Sequence, residues 1–171
     1  MDECFSERRY NAMIILKGII DEDFVNYRVP SMVLEFPNCS FKCGKENCQN
    51  YGMVNTENIV TTVERIFDRY INNPITDAIV FQGLEPFDSW EEMKELLFHI
   101  RIHESCFDDI VIYTGYNKDE INDKIEYLKH MYSNIIIKYG RYISGQNPHY
   151  DNILGVKLAS DNQYAERIGE I

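Results

Sequence analysis

Short apolar runs alternate along this chain with longer segments whose apolar residues recur at helical spacing. Ala12-Met-Ile-Ile-Leu16, Met32-Val-Leu-Glu-Phe36, Ala78-Ile-Val-Phe81, Asp109-Ile-Val-Ile-Tyr113, Asn134-Ile-Ile-Ile-Lys138 and Ile153-Leu-Gly-Val-Lys-Leu158 read as strands. Most are too continuously apolar to have a wet face, the mark of strands buried on both sides. Between them, the segment from Thr56 to about Tyr70 sets Ile59, Val63, Ile66, Phe67 and Tyr70 on one helical face, and Asn72-Asn73-Pro74 ends it. Ser89 and Glu92 have the spacing of a capping box ahead of a second helix, with Met93, Leu96, Leu97 and Ile100 as its stripe. Asn117 and Glu120 open a third in the same way, followed by Ile121, Ile125 and Leu128.

Strand alternating with helix is the grammar of a parallel sheet with crossover helices. The units are too few for an eight-stranded barrel, so the expected architecture is one α/β domain over 1–171, an open sheet or a partial barrel, with 1–11 as a mobile tail. In such folds ligands sit at the carboxyl ends of the parallel strands. That edge would gather Cys39–Cys48, Gln82–Pro86, Thr114–Tyr116, Tyr139–Arg141 and Ser160–Gln163.

Composition narrows the function. With 171 residues, 44% hydrophobic and 26% charged, the chain fits one ordinary globular domain. A net charge of -11 argues against a nucleic-acid surface and leaves room for a protein partner with a basic docking face. No apolar stretch approaches the roughly 20 residues of a membrane span, and no signal-peptide layout is present, so a cytoplasmic protein is expected. Reduced cysteines are the rule in that compartment, and clustered ones there point to metal.

Three of the five cysteines, Cys39, Cys43 and Cys48, fall within ten residues after the second apolar run. A tetrahedral zinc or an iron-sulfur cube takes four ligands, so three thiolates leave one position for something else. The gaps of three and four residues are not those of a zinc knuckle, and the histidines lack an HxxxH-type spacing, so a cluster loop fits better than zinc. Gly44 suits a backbone turning tightly round an inorganic core. Cys4 and Cys106 are not expected as ligands, and His99, His103, His130 and His149 read as surface or helix-face residues. In Gly83-Leu-Glu-Pro86, glycine permits close approach, proline stiffens the turn and Glu85 can accept from an ammonium or hydroxyl group.

The order of these motifs, with Ile112-Tyr-Thr-Gly-Tyr116 after the next strand and Ala159-Ser-Asp-Asn-Gln163 near the end, resembles radical S-adenosylmethionine proteins. It is most similar to the small activating proteins of anaerobic ribonucleoside-triphosphate reductases. The resemblance implies a partial (β/α) barrel of mainly parallel strands with crossover helices. It implies a 4Fe-4S cluster on Cys39, Cys43 and Cys48, with S-adenosyl-L-methionine on the fourth iron. Gly83, Leu84 and Glu85 would meet the methionine amino group, and Thr114 and Tyr116 the ribose or carboxylate. The implied partners are a large anaerobic (glycyl radical) ribonucleotide reductase subunit and a low-potential electron donor such as flavodoxin or ferredoxin. Two features depart from the usual pattern. The second cysteine gap is four residues rather than two, with Asn47 where an aromatic normally precedes the third cysteine, so Phe41 or Tyr51 would take over the adenine contact. Leu84 stands where a second glycine is usual. Lys138, closing an Ile-Ile-Ile strand, could reach the site but reads as a side chain snorkelling to water.

Overall fold

Met32, Leu34 and Phe36 alternate with Val33, and Ile79 and Phe81 with Val80, so these strands bury both faces in two separate apolar layers. The computed structural model describes residues 12–169; Cys4 and the expected tail over 1–11 lie outside them. The chain runs β1 (Met13–Leu16), β2 (Gly18–Asp23), β3 (Ser31–Phe36), β4 (Ile59–Thr62), α1 (Val63–Ile71), β5 (Ala78–Gly83), α2 (Trp90–Phe98), β6 (Asp109–Tyr113), α3 (Asn122–Met131), β7 (Ile135–Tyr139), β8 (His149–Asp151), β9 (Val156–Leu158) and β10 (Tyr164–Ile168). Six of the strands form one sheet in the order β10-β7-β6-β5-β3-β2. Its four central strands, β3, β5, β6 and β7, are mutually parallel, and β2 and β10 flank them antiparallel.

Register aligns one row across the centre, with Val33 beside Val80, Val80 beside Val111 and Val111 beside Ile136. These small branched side chains, with Tyr27, Leu154, Leu158 and Ala165, make the thinner apolar layer. The opposite face carries Leu34, Phe81, Ile112 and Ile137, packed in one cluster with α1 through Ile66 and Phe67, α2 through Met93, Leu96 and Leu97, and α3 through Ile125 and Leu128. Among the described residues, no helix is long and apolar enough to cross a membrane.

Three expectations change. The first helix begins only at Val63, because Ile59–Thr62 extends as β4 and pairs antiparallel with β1. Four β-branched residues in a row suit a strand better than a helical turn, and Thr62 then caps α1 by accepting the Arg65 N–H at 3.3 Å. The Ser89 capping box does not form: a 3-10 turn over Pro86–Ser89 precedes α2, and the Ser89 hydroxyl instead accepts from Asn38. The Asn117–Glu120 box does form. Finally, Ile153–Leu158 is not a sheet strand. Its first half turns through Gly155 (φ +72), and Val156–Leu158 makes a small hairpin with β8, while the last sheet strand is β10. Because β10 runs against β7, the Ser160–Gln163 loop entering it still lies at the carboxyl edge.

Candidate cluster site

The thiol loop starts where β3 ends and is held by its neighbours. Phe41 (φ +54) and Gly44 (φ +82) fold it back, with the Gly44 N–H on the Phe41 carbonyl at 3.0 Å, and two short 3-10 turns over Lys45–Asn47 and Tyr51–Asn55 follow. Side chains from other strand ends then fasten it. The Ser40 N–H donates to Asp88 at 2.6 Å, Tyr116 donates to the other Asp88 oxygen at 2.6 Å, and the Asn50 amide donates to the Gly83 carbonyl at 2.9 Å. Lys17 ties the far end, donating to the Val54 and Thr56 carbonyls.

Cys39, Cys43 and Cys48 all line one cavity of about 380 Å³ at the carboxyl edge of the parallel strands. Gly83, Leu84, Glu85, Thr114 and Tyr116 line it too, so the structure brings together all eight residues singled out in the sequence. Burial holds the Cys39 thiol up at about 11, with the negative charges of Glu85 and Asp88 adding to it, and raises Cys43 in the same sense. The bare Cys39 and Cys43 thiols therefore keep their protons at neutral pH, and a bound metal has to displace them. Among the described residues no group of three His, Cys, Asp or Glu is arranged to hold a single metal ion, and no histidine lines the cavity. The cavity's donor set is three thiols with no histidine among the lining residues, a set that an iron-sulfur cluster takes.

Gly83 explains the turn beside them. Its φ is +107, and a Cβ there would stand 2.6 Å from the Phe36 backbone nitrogen. Leu84 is not among the residues with positive φ, so the chain needs a glycine at the first of these positions only. Glu85 is buried, with Oε1 accepting from the Thr114 hydroxyl at 2.8 Å and the Phe87 N–H at 3.1 Å, and Oε2 accepting from the Gly115 N–H at 2.9 Å. Desolvation nevertheless pushes its pKa up to about 7 against those donors. The Thr114 hydroxyl is thus spent on Glu85, and the Tyr116 hydroxyl on Asp88, with Ser40 Oγ at 3.2 Å. Phe41 and Tyr51 pair edge to face at 6.0 Å between centroids, beside the cavity lining rather than in it.

The sequence reading missed Asn50 and Lys157 in the lining, put Gln82, Tyr113 and Arg141 at this edge without giving them a role, and misjudged Lys138. Period-two alternation would have found some of them, since Gln82, Tyr113 and Lys138 lie two residues beyond Val80, Val111 and Ile136 and share their face. Lys138 is 7% exposed and does not reach water.

Over residues 28–162 the sequence matches the family described as 4Fe-4S single cluster domain. That span holds all three loop cysteines and most of the chain, and the protein belongs to this family of iron-sulfur proteins. No curated protein and no solved structure matches the chain.

Proposed function

We propose that the protein is a radical S-adenosylmethionine enzyme that activates a glycyl radical protein, an anaerobic ribonucleotide reductase. One observation carries the reading: the three thiols and the Gly83-Leu84-Glu85 turn, remote in sequence, line one cavity at the carboxyl ends of consecutive parallel strands. That strand order agrees with a partial (β/α) barrel. Cys39, Cys43 and Cys48 would hold the 4Fe-4S cluster, and Gly83, Leu84 and Glu85 would meet S-adenosylmethionine. When bound, the two cofactors supply reductive cleavage of the sulfonium to methionine and a 5'-deoxyadenosyl radical able to take hydrogen from a glycine, with the electron coming from a flavodoxin or ferredoxin.

The chain's own residues bind and orient. The Gly83 carbonyl, now accepting from Asn50, is free to accept from the cofactor's ammonium if the Asn50 amide turns away. Thr114 and Gly115 fix the Glu85 carboxylate beside it. Ser40, Asp88 and Tyr116 keep the Cys39 end of the loop against the next strand.

The test is anaerobic reconstitution, reduction and addition of S-adenosylmethionine, followed by assay for 5'-deoxyadenosine and then for a glycyl radical signal on an added reductase. Both products are expected. No 5'-deoxyadenosine from fully loaded protein defeats the radical reading and leaves a non-catalytic iron-sulfur protein. The first product without any radical on a reductase points instead to a small-molecule substrate, and colourless protein holding zinc removes the cluster altogether.

A further inference from the structure

Lys138 stands in the cavity wall with its charge unmatched. Its ammonium donates to the Gly140 carbonyl at 2.9 Å and lies 5.8 Å from the centre of the Tyr113 ring, the residue beside it in the sheet. Among the described residues, no ion pair includes it. An ammonium has three protons to donate, so two remain for whatever enters the cavity. Burial pulls its pKa down to about 8, with the Glu85 charge opposing the fall. Glu85 does not neutralise it by contact, because that carboxylate is held by Thr114, Phe87 and Gly115.

The other cations of the lining divide in two. Arg141 makes a two-pronged pair with Glu120 at 2.9 Å, and Lys42 lies 3.9 Å from the same carboxylate. Lys157 is exposed, and no ion pair among the described residues includes it either. A chain of net charge -11 thus keeps two unmatched cations, Lys138 and Lys157, in the wall of one cavity. An unpaired ammonium held out of water is costly, and a fold retains one where an anion arrives to complete it.

We propose that the cavity takes a substrate carrying a carboxylate, anchored by Lys138 with Lys157 as a second cation. This deepens the radical S-adenosylmethionine reading and rests on it at one point: there Gly83–Glu85 would take the methionine end of the cofactor, and the anion at Lys138 is assigned to the second occupant. A phosphate draws several donors at once. The Tyr113 hydroxyl is spent on the Asn26 carbonyl and one Gln163 amide proton on Gly140, which leaves fewer neutral donors beside Lys138 than a phosphate would take. The carboxylate comes either from an acidic side chain beside the target glycine or from a free acid.

Succinate and inorganic phosphate titrated calorimetrically into the full-length, cluster-loaded protein test this. Succinate is expected to bind more tightly than phosphate, with Lys138→Met weakening it at least tenfold, Lys138→Arg within threefold of the parent, and Lys157→Gln about threefold weaker. Unchanged succinate binding in Lys138→Met, or tighter phosphate binding, overturns the proposal. Lys138→Met also buries an apolar side chain in place of an unmatched charge, so its melting temperature should rise; a fall would mean that the charge was already satisfied. Saturating S-adenosylmethionine should leave succinate affinity unchanged, and competition would hand Lys138 to the cofactor and overturn the assignment. A Gly-Asp peptide binding better than both succinate and its Gly-Asn counterpart supports a protein-borne acid, and the reverse order a free one. Failure to form 5'-deoxyadenosine would defeat the radical reading while leaving the succinate result standing.

Discussion

Gly83 ends β5 so close to β3 that a side chain has nowhere to go. Alanine there would put a Cβ 2.6 Å from the Phe36 nitrogen and 2.9 Å from the Glu35 carbonyl carbon, in a backbone conformation that side chains rarely adopt. The obstacle is backbone on both counts, so it cannot be relieved by a rotamer change. Gly83→Ala is expected to cost about 2 kcal/mol or more in urea unfolding and to lower iron loading, because Asn50 grips the same residue from the thiol loop. Stability equal to the parent would show that the turn relaxes freely. The thiols give a cleaner contrast. Cys43 lines the cavity, whereas Cys106 packs beside the core with its sulfur 3.5 Å from Asp108. Cys43→Ala should drop iron from about four per chain to near zero after reconstitution, and Cys106→Ala should leave it unchanged. Iron lost from the Cys106 variant would overturn this choice of ligands.

Between elements, the edge of the sheet opposite the cavity is tied by one side chain that the sequence reading passed over. Arg101, buried after α2, donates to four carbonyls, those of Cys106, Asp108, Ser133 and Asn134, and so joins the turns leading into β6 and β7. Arg101→Met removes the side-chain donor from all four, though the Asn134 carbonyl keeps the Ile110 N–H, and should cost about 3 kcal/mol. Arg101→Lys should recover less than half of that, since an ammonium cannot span the fork. The urea midpoint should fall at constant slope, with iron per folded chain unaffected because the site lies at the other edge; a loss of iron would show that the edges are coupled. Arg101 was illegible because its partners are backbone atoms in turns, which leave no side-chain pattern. The four parallel strands were legible because double burial forces continuous apolar runs such as Ile110–Ile112 and Ile135–Ile137. The flanking strands were not. β2 alternates half-buried and exposed residues in Gly-Ile-Ile-Asp-Glu-Asp, and β10 mixes Glu166 and Arg167 into its middle. At the site the three thiols and Gly83 were readable from spacing and residue type. Lys138 was misread because its strand was assigned a wet end, whereas that end is buried in the wall of the cavity that β9 and the thiol loop also line.

Across the whole molecule, three buried titratable groups should shape stability against pH, and their signs differ. His99 lies 2% exposed beside Phe67, with neither ring nitrogen in a well-formed hydrogen bond although Nε2 is 3.3 Å from Glu104. Desolvation lowers its pKa from 6.5, so the unfolded chain takes the proton first and stability drains as pH falls below about 6.5. Glu85 acts in the opposite direction. Its folded pKa of about 7 lies above the ordinary 4.5, so the folded state holds the proton longer and stability is lost as pH rises from 4.5 through 7. For Lys138 the folded value of about 8 lies below 10.5, so burying its charge costs most below pH 8 and stability returns between 8 and 10.5. In the iron-free protein the two cavity groups are therefore both charged near pH 7.5, where the unfilled site should weaken the fold most. Urea unfolding at pH 5, 6, 7 and 8 separates them. The difference between parent and Glu85→Gln should change by on the order of 3 kcal/mol between pH 4.5 and 7, whatever constant offset the lost contact to Gly115 adds. His99→Leu should instead flatten only the decline below 6.5. Parallel curves for parent and Glu85→Gln would mean that the Thr114, Phe87 and Gly115 donors fully offset the burial of that carboxylate.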